Sequence, residues 1–256
     1  MLSNAYRRGA KLAGLHRSPA RGVVLTYHAV QGVELSRFLE QMQCLVRHCE
    51  PVFADDINRT HHRPCVAVTF DDAFAHVFDR VLPQLAELRI PATIFVPTAY
   101  LGSPAAWLSA ERPKVVSRAT LSKLNHELVR IGSHSVNHAR LASVPPAQLM
   151  RELVESKQTL EEITGRDVTM LALPYSSHTE AVLDAARCAG YRAVFANVPI
   201  NPSAGRSSLL VGRVNVSPGD WPMEFRLKID GSYDWMTAAL PAKRALLRLF
   251  GASPNL

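Results

Sequence analysis

The chain lacks most features that would place it in a specialised class. Its four cysteines, Cys44, Cys49, Cys65 and Cys188, form no C-x-x-C pair, which excludes a dense disulfide framework. Free thiols, mostly buried and kept in a reducing compartment, are expected instead. No apolar run approaches the roughly 20 residues that a membrane-spanning helix needs. There is no internal repeat and no low-complexity tract. Residues 1–22 carry Arg7, Arg8, Lys11, Arg17 and Arg21 but lack the continuous apolar core of a secretory leader. The expected location is therefore cytoplasmic, either free or peripheral to the inner membrane face.

Acidic side chains are outnumbered. Against 29 Lys and Arg stand 22 Asp and Glu, giving a formal net charge of +7. Such an excess either aids solubility or meets an anionic partner: nucleic acid, anionic lipid, or a diphosphate-bearing glycan carrier. Nucleic acid is set aside, because the arginines are scattered and no aromatic-basic reading motif occurs. Residues 238–250 form a short basic amphipathic stretch. It either lies on a membrane surface or packs its Leu and Phe side chains on its own domain.

What remains is a composition of 47% hydrophobic and 20% charged residues over 256 positions, enough for a large soluble core. Short apolar runs alternate with helical periods. Strands are expected at 23–26, 66–69, 92–96, just before Gly132, and at 168–173, 191–196 and 209–216. Helices are expected at 36–47 with Ser36 as a cap, through Val77, Val81, Leu85 and Leu88 with a kink at Pro83, and through Leu121, Leu124 and Leu128. Two more follow, on the stripe Leu149, Leu153, Leu160 and Ile163 with Gly165 as its stop, and at 179–188. Apolar strands alternating with crossover helices imply a parallel sheet covered on both faces. About seven such units suggest an α/β architecture, a distorted and incomplete (β/α)7-type barrel in one domain. The division is a basic extension at 1–22, the barrel at 23–216 and a C-terminal helical segment at 217–256.

Chemistry-bearing residues gather after the strands, where active residues of parallel α/β folds collect. T-F-D-D, ending in Asp71 and Asp72, closes one strand. G-S-H-S-V-N-H, with His134 and His138, closes another. A-L-P-Y, with Pro174 and Tyr175, closes a third, and His28 lies just beyond the first. One carboxylate and two imidazoles can hold a divalent metal with an open position, leaving a second carboxylate for acid-base work.

In these motifs the chain resembles the polysaccharide deacetylases with a NodB-like domain, over roughly 23–216. T-F-D-D is similar to their first motif, H-S-V-N-H to their second, and A-L-P-Y to the strand-end motif lining the acetyl pocket. The resemblance implies a metal-dependent deacetylase of an N-acetylated glycan or lipid-linked sugar. Asp72, His134 and His138 would hold the metal, commonly zinc, and Asp71 would be the base. The Tyr175 backbone, beside Pro174, would serve the oxyanion. The usual late L-x-x-H motif is missing, and Leu25-Thr26-Tyr27-His28 looks like the permuted arrangement of the poly-N-acetylglucosamine deacetylases, with His28 as the acid. The third motif lacks its usual arginine. Arg213 either replaces it in orienting Asp71 or is a surface or structural ion-pair residue. Trp107 and Trp221 offer either core packing or a sugar-stacking face, and His178 either touches substrate or does not. Removal of formyl or O-acetyl groups, or a silent glycan-binding role, are the alternatives to N-deacetylation.

Overall fold

The computed structural model describes residues 22–109, 111–198 and 209–232. Nine strands form one parallel sheet: β1 (Val23–Tyr27), β2 (Glu50–Val52), β3 (Cys65–Phe70), β4 (Ala92–Val96), β5 (Val129–Ser133), β6 (Met170–Ala172), β7 (Ala193–Ala196), β8 (Leu210–Gly212) and β9 (Val214–Asn215). Their order is β8-β7-β6-β5-β4-β3-β1-β9, with β2 beside β3. The strand expected at 209–216 is thus broken at Arg213. Its first half pairs with β7 and its second half with β1, so one segment bridges the two edges and nearly closes the barrel. Strands β1, β3, β4 and β6 are buried along their whole length, because closure leaves one face on the interior and helices cover the other.

The side chains divide accordingly. Val24, Ala67, Phe95, Ala172, Phe195 and Val211 form one apolar cluster, the alternate set that points into the barrel. Leu25, Val68, Ile94 and Leu171 belong to the larger cluster shared with the helices. Gly132 lies on β5 because a Cβ there would sit 2.5 Å from the Phe95 ring.

The helices are α1 (Leu35–His48), α2 (Leu82–Glu87), α3 (Arg118–Ser122), α4 (Pro146–Thr164), α5 (Glu180–Cys188) and α6 (Pro222–Ile229). Ser36 is not the cap of α1. A 3-10 turn at Gly32–Glu34 leads directly into the helix, and Glu34 reaches back to the Gln31 N–H at 3.0 Å. The break expected at Pro83 is a π-turn over Val77–Val81. The Leu82 N–H bonds back to the Val77 carbonyl, and Pro83 then falls in the first turn of α2, where its missing N–H costs nothing. The helix expected through Leu128 stops at Ser122. Ser117 caps its start, accepting the Thr120 N–H at 3.1 Å, and Asn125 bonds the Glu127 N–H in a following turn. Gly165 ends α4 in the left-handed conformation (φ 65°), and Thr179 caps α5 rather than joining it.

Helix α6 packs on α1 and β1 through Phe225 and Ile229. Residues 238–250 and the basic extension up to residue 21 lie outside the described residues. Among the described residues no helix is long and apolar enough to cross a membrane. The four cysteines are free thiols, with Cys49 and Cys65 buried.

Candidate active site

Three strand-end loops build the site, and their backbones are strained. Asp72 (φ 67°) and Ala73 (φ 49°) follow β3, Ser135 (φ 64°) and His138 (φ 53°) follow β5, and Tyr175 (φ 56°) and Ser176 (φ 52°) follow β6. Among the described residues, Arg89 is the only other non-glycine with positive φ. Each such residue costs on the order of 1–3 kcal/mol and persists only when its surroundings impose it. The surroundings are visible. The Asp71 N–H extends the β3 ladder to the Tyr27 carbonyl at 2.9 Å, and the Ala73 carbonyl accepts the Val116 N–H at 2.8 Å. The His134 N–H donates to Val96 at 2.9 Å, and the Ser176 N–H to Leu173 at 2.9 Å.

These turns bring Asp72, His134 and His138 together, all buried. Asp72 Oδ1 lies 3.6 Å from His134 Nε2 and 3.2 Å from His138 Nε2, and the three ligand atoms lie within 4.8 Å of one another. Bonds of about 2.0–2.1 Å at tetrahedral angles imply donor separations of about 3.3–3.5 Å, which the two measured values bracket. Asp72 Oδ1 is buried with no hydrogen-bond partner among the described residues, an acceptor left for a cation. His134 Nδ1 pairs with the Ala172 carbonyl at 2.9 Å, which places its proton on Nδ1 and leaves Nε2 as a donor atom toward Asp72. Burial, against the pull of Asp71 and Asp72, pushes the His134 imidazole down to about 4, so it is neutral at pH 7 as a metal ligand must be. The donor set fits a divalent ion such as zinc.

Asp71 is also buried but lies outside this group. Arg213 holds it bidentately, Nη1 to Oδ1 and Nη2 to Oδ2, each at 2.7 Å. Burial alone would raise the Asp71 carboxyl. The Arg213 guanidinium, with His134 and His28, outweighs that and holds it well below the usual carboxylate range. The guanidinium also reaches Thr69 Oγ1 at 3.4 Å and lies over the Phe95 ring, 5.3 Å from its centroid. The geometry removes the surface reading of Arg213, which is buried inside the barrel and paired with Asp71. His28 reaches the same carboxylate, its Nε2 4.0 Å from Asp71 Oδ2, while its side chain stays 46% exposed.

An aromatic wall flanks the group. Trp107 stacks on His138 with centroids 4.3 Å apart and planes 15° apart, and Tyr100 meets Trp107 edge-on at 4.8 Å. Trp107 is therefore neither a plain core residue nor an open platform. The Tyr175 ring meets His138 edge-on at 4.8 Å, is 48% exposed, and carries the Arg140 guanidinium 4.2 Å above its centroid. Pro174 is buried beneath that turn. Trp221, at 78% exposed, is not in the core. His178 bonds the Ser176 carbonyl at 2.9 Å and steadies the turn. Sequence reading missed Glu152 and Ser156, which α4 turns toward the His134–His138 loop. Both are polar residues on the buried stripe of α4, and that mismatch with the stripe was the available signal.

Comparison with known proteins bears on the family and the fold. A family profile, Polysaccharide deacetylase, matches residues 58–194, more than half of the chain. The chitooligosaccharide deacetylase of Sinorhizobium fredii is 30% identical over 194 residues, 75% of this chain and 74% of the relative. The Bacillus subtilis polysaccharide deacetylase family protein YxkH is 28% identical over 155 residues, 60% of this chain; the match spans about half of that relative's length, 52%. Among solved structures, the Streptococcus pyogenes deacetylase PplD in complex with acetate superposes with a TM-score of 0.72 at 18% identity, covering 83% of this chain and 99% of that one. IcaB from Ammonifex degensii gives 0.66 at 22% identity, covering 84% and 98%. These two establish likeness of fold. His28 and Arg213, the two residues that contact Asp71 from β1 and from the β8–β9 junction, fall outside the profile's span. Within it lie the Asp71–Asp72 pair, both histidines and the Pro174–Tyr175 turn, and by that match the chain belongs to the polysaccharide deacetylase family.

Proposed function

We propose that this protein is a metal-dependent N-deacetylase acting on N-acetylated sugar units of a glycan or a lipid-linked glycan precursor. The observation that carries the reading is one juxtaposition. A buried three-donor group, Asp72, His134 and His138, lies next to a second carboxylate, Asp71, that Arg213 keeps ionised and that His28 approaches. A divalent ion on those three residues, zinc by the chemistry of the donors, supplies Lewis acidity toward an amide carbonyl.

The remaining work falls to the chain. Asp71 is the base that accepts a proton from the attacking water, and the bidentate pair fixes the direction of both its oxygens. His28, 4.0 Å from Asp71 Oδ2 and open to solvent, delivers a proton to the departing amine nitrogen. An amide nitrogen leaves poorly without that proton, and such help is typically worth about 10²–10⁴-fold. The Tyr175 backbone N–H, in its left-handed turn above Pro174, is assigned to the carbonyl oxygen as charge builds there. One donor of this kind is worth about 3–4 kcal/mol.

The 30% identity to a chitooligosaccharide deacetylase supports an N-acetylated sugar as substrate. The net charge of +7 supports a lipid-linked anionic carrier and peripheral contact with an anionic membrane. Acetate release from N-acetylglucosamine oligomers and lipid-linked N-acetylated precursors, with metal content measured on wild type and Asp71→Asn, tests the reading. Release by wild type alone, with about one metal in each protein, is expected. A panel of formylated and O-acetylated sugars separates the related hydrolases. A folded wild type that takes up no zinc would overturn the reading, and failure to sediment with anionic vesicles would remove the membrane contact.

A further inference from the structure

The two imidazoles of the candidate metal group are held in different ways. His134 is anchored through Nδ1 to the Ala172 carbonyl. His138 Nδ1 is buried and has no hydrogen-bond partner among the described residues. The Trp107 stack and the Tyr175 edge limit how far the His138 ring can tilt. Neither contact, nor the edge-on His134 ring at 4.9 Å, is a hydrogen bond to Nδ1, so the position of Nε2 depends on where the backbone of the loop is set.

That backbone is strained at both ends, with left-handed Ser135 and His138. The two residues between them, Val136 and Asn137, have their N–H groups pinned by one carboxylate. Glu152 Oε2 accepts both at 2.9 Å, and Oε1 accepts Asn137 Nδ2 at 2.7 Å. One turn further along α4, Ser156 Oγ meets Ser133 Oγ at 2.7 Å, and Ser133 Oγ accepts the Ser135 N–H at 3.1 Å. Glu152 is 2% exposed and forms no ion pair among the described residues. A buried carboxylate is costly unless its oxygens are hydrogen-bonded, and here all three donors come from the loop it faces. It interrupts the stripe Leu149, Leu153 and Leu160, where an apolar residue would pack without that cost.

We propose that Glu152 is a positioning residue that sets the His134–His138 loop and, through it, the direction of His138 Nε2 toward Asp72. The proposal rests on the metal reading of Asp72, His134 and His138. Its test is zinc affinity, measured by competition with a chromophoric chelator, together with the visible absorption of the cobalt(II) form. Glu152→Ala is expected to weaken zinc binding by about 10–100-fold and to change the cobalt spectrum. Glu152→Gln should recover most of the affinity, because its amide oxygen still accepts both backbone N–H groups and its NH2 can meet a turned Asn137.

A Glu152→Ala protein that melts lower without metal yet binds zinc like wild type, with an unchanged cobalt spectrum, would overturn the proposal alone. Wild type that binds no zinc would overturn both this proposal and the metal reading. Should the alanine variant fail to fold, Asn137→Ala decides. It removes the Oε1 partner from an exposed position and should weaken zinc binding several-fold, whereas wild-type affinity would overturn the proposal.

Discussion

Arg213 holds both oxygens of Asp71 at 2.7 Å from a position 142 residues further along the chain. The grip comes from the break between β8 and β9, so the segment that closes the barrel also orients the candidate base. Arg213→Met strands a buried carboxylate, a change that typically costs about 3–5 kcal/mol, and the urea midpoint should fall accordingly. Arg213→Lys keeps a charge but loses the fork. With weaker opposition to burial the Asp71 carboxyl titrates higher, so the acid limb of kcat/KM should move to higher pH. An unmoved limb would separate Asp71 from the titration that controls rate.

Metal removal should act on stability as well as on turnover. A chelator is expected to abolish deacetylation and lower the melting temperature, with zinc restoring both. At free zinc about 100 times the dissociation constant, the stabilisation is about 2.7 kcal/mol. Asp72→Asn and His134→Asn should lose metal in elemental analysis. Asp71→Asn should keep it, because Asp71 stands outside the three-donor group.

His134 makes a prediction for the metal-free protein. Burial lowers its folded value to about 4 from an ordinary 6.5. Between those values the unfolded chain takes up a proton that the fold excludes. Stability is therefore fully present above pH 6.5 and is lost as pH falls toward 4, by about 3 kcal/mol. Urea unfolding at stepped pH should show the slope, and His134→Asn should flatten it. A slope of opposite sign would mean that the imidazole is protonated in the fold.

His28 predicts a separation of chemistry from folding. With a half-exposed side chain and no place in the three-donor group, His28→Gln should keep wild-type zinc content and melting temperature. Deacetylation of the sugar amide should fall by about 10²–10⁴-fold. An acetyl ester with a good leaving group should be hydrolysed nearly as before, since its oxygen departs without a proton. Equal losses on both substrates would remove His28 from the acid's role.

Much of this molecule is local in origin and therefore legible along the chain. Runs such as Ala92–Val96 are apolar but for Thr93 because both faces of a barrel strand are buried, and the family motifs sit where such strands end. Gly165 marks a helix end by chemistry that acts within four residues. Boundaries set by competition between turns were less legible. Ser36 has the right side chain for a cap, but the preceding 3-10 turn already occupies that place. Past Ser122 the leucine spacing persists while Asn125 diverts the backbone into a turn.

The sequence by itself determined the alternation of strand and helix, the three strand-end motifs, and the residue types that make a metal site chemically reasonable. Those follow from side-chain chemistry and short-range periodicity. Only the tertiary structure decided that Arg213 faces Asp71 rather than solvent, that Trp107 covers His138, and that Glu152 pins the loop between the two histidines. Each is a tertiary contact between separate elements, and for Arg213 it is barrel closure that brings the β8–β9 junction beside the end of β3.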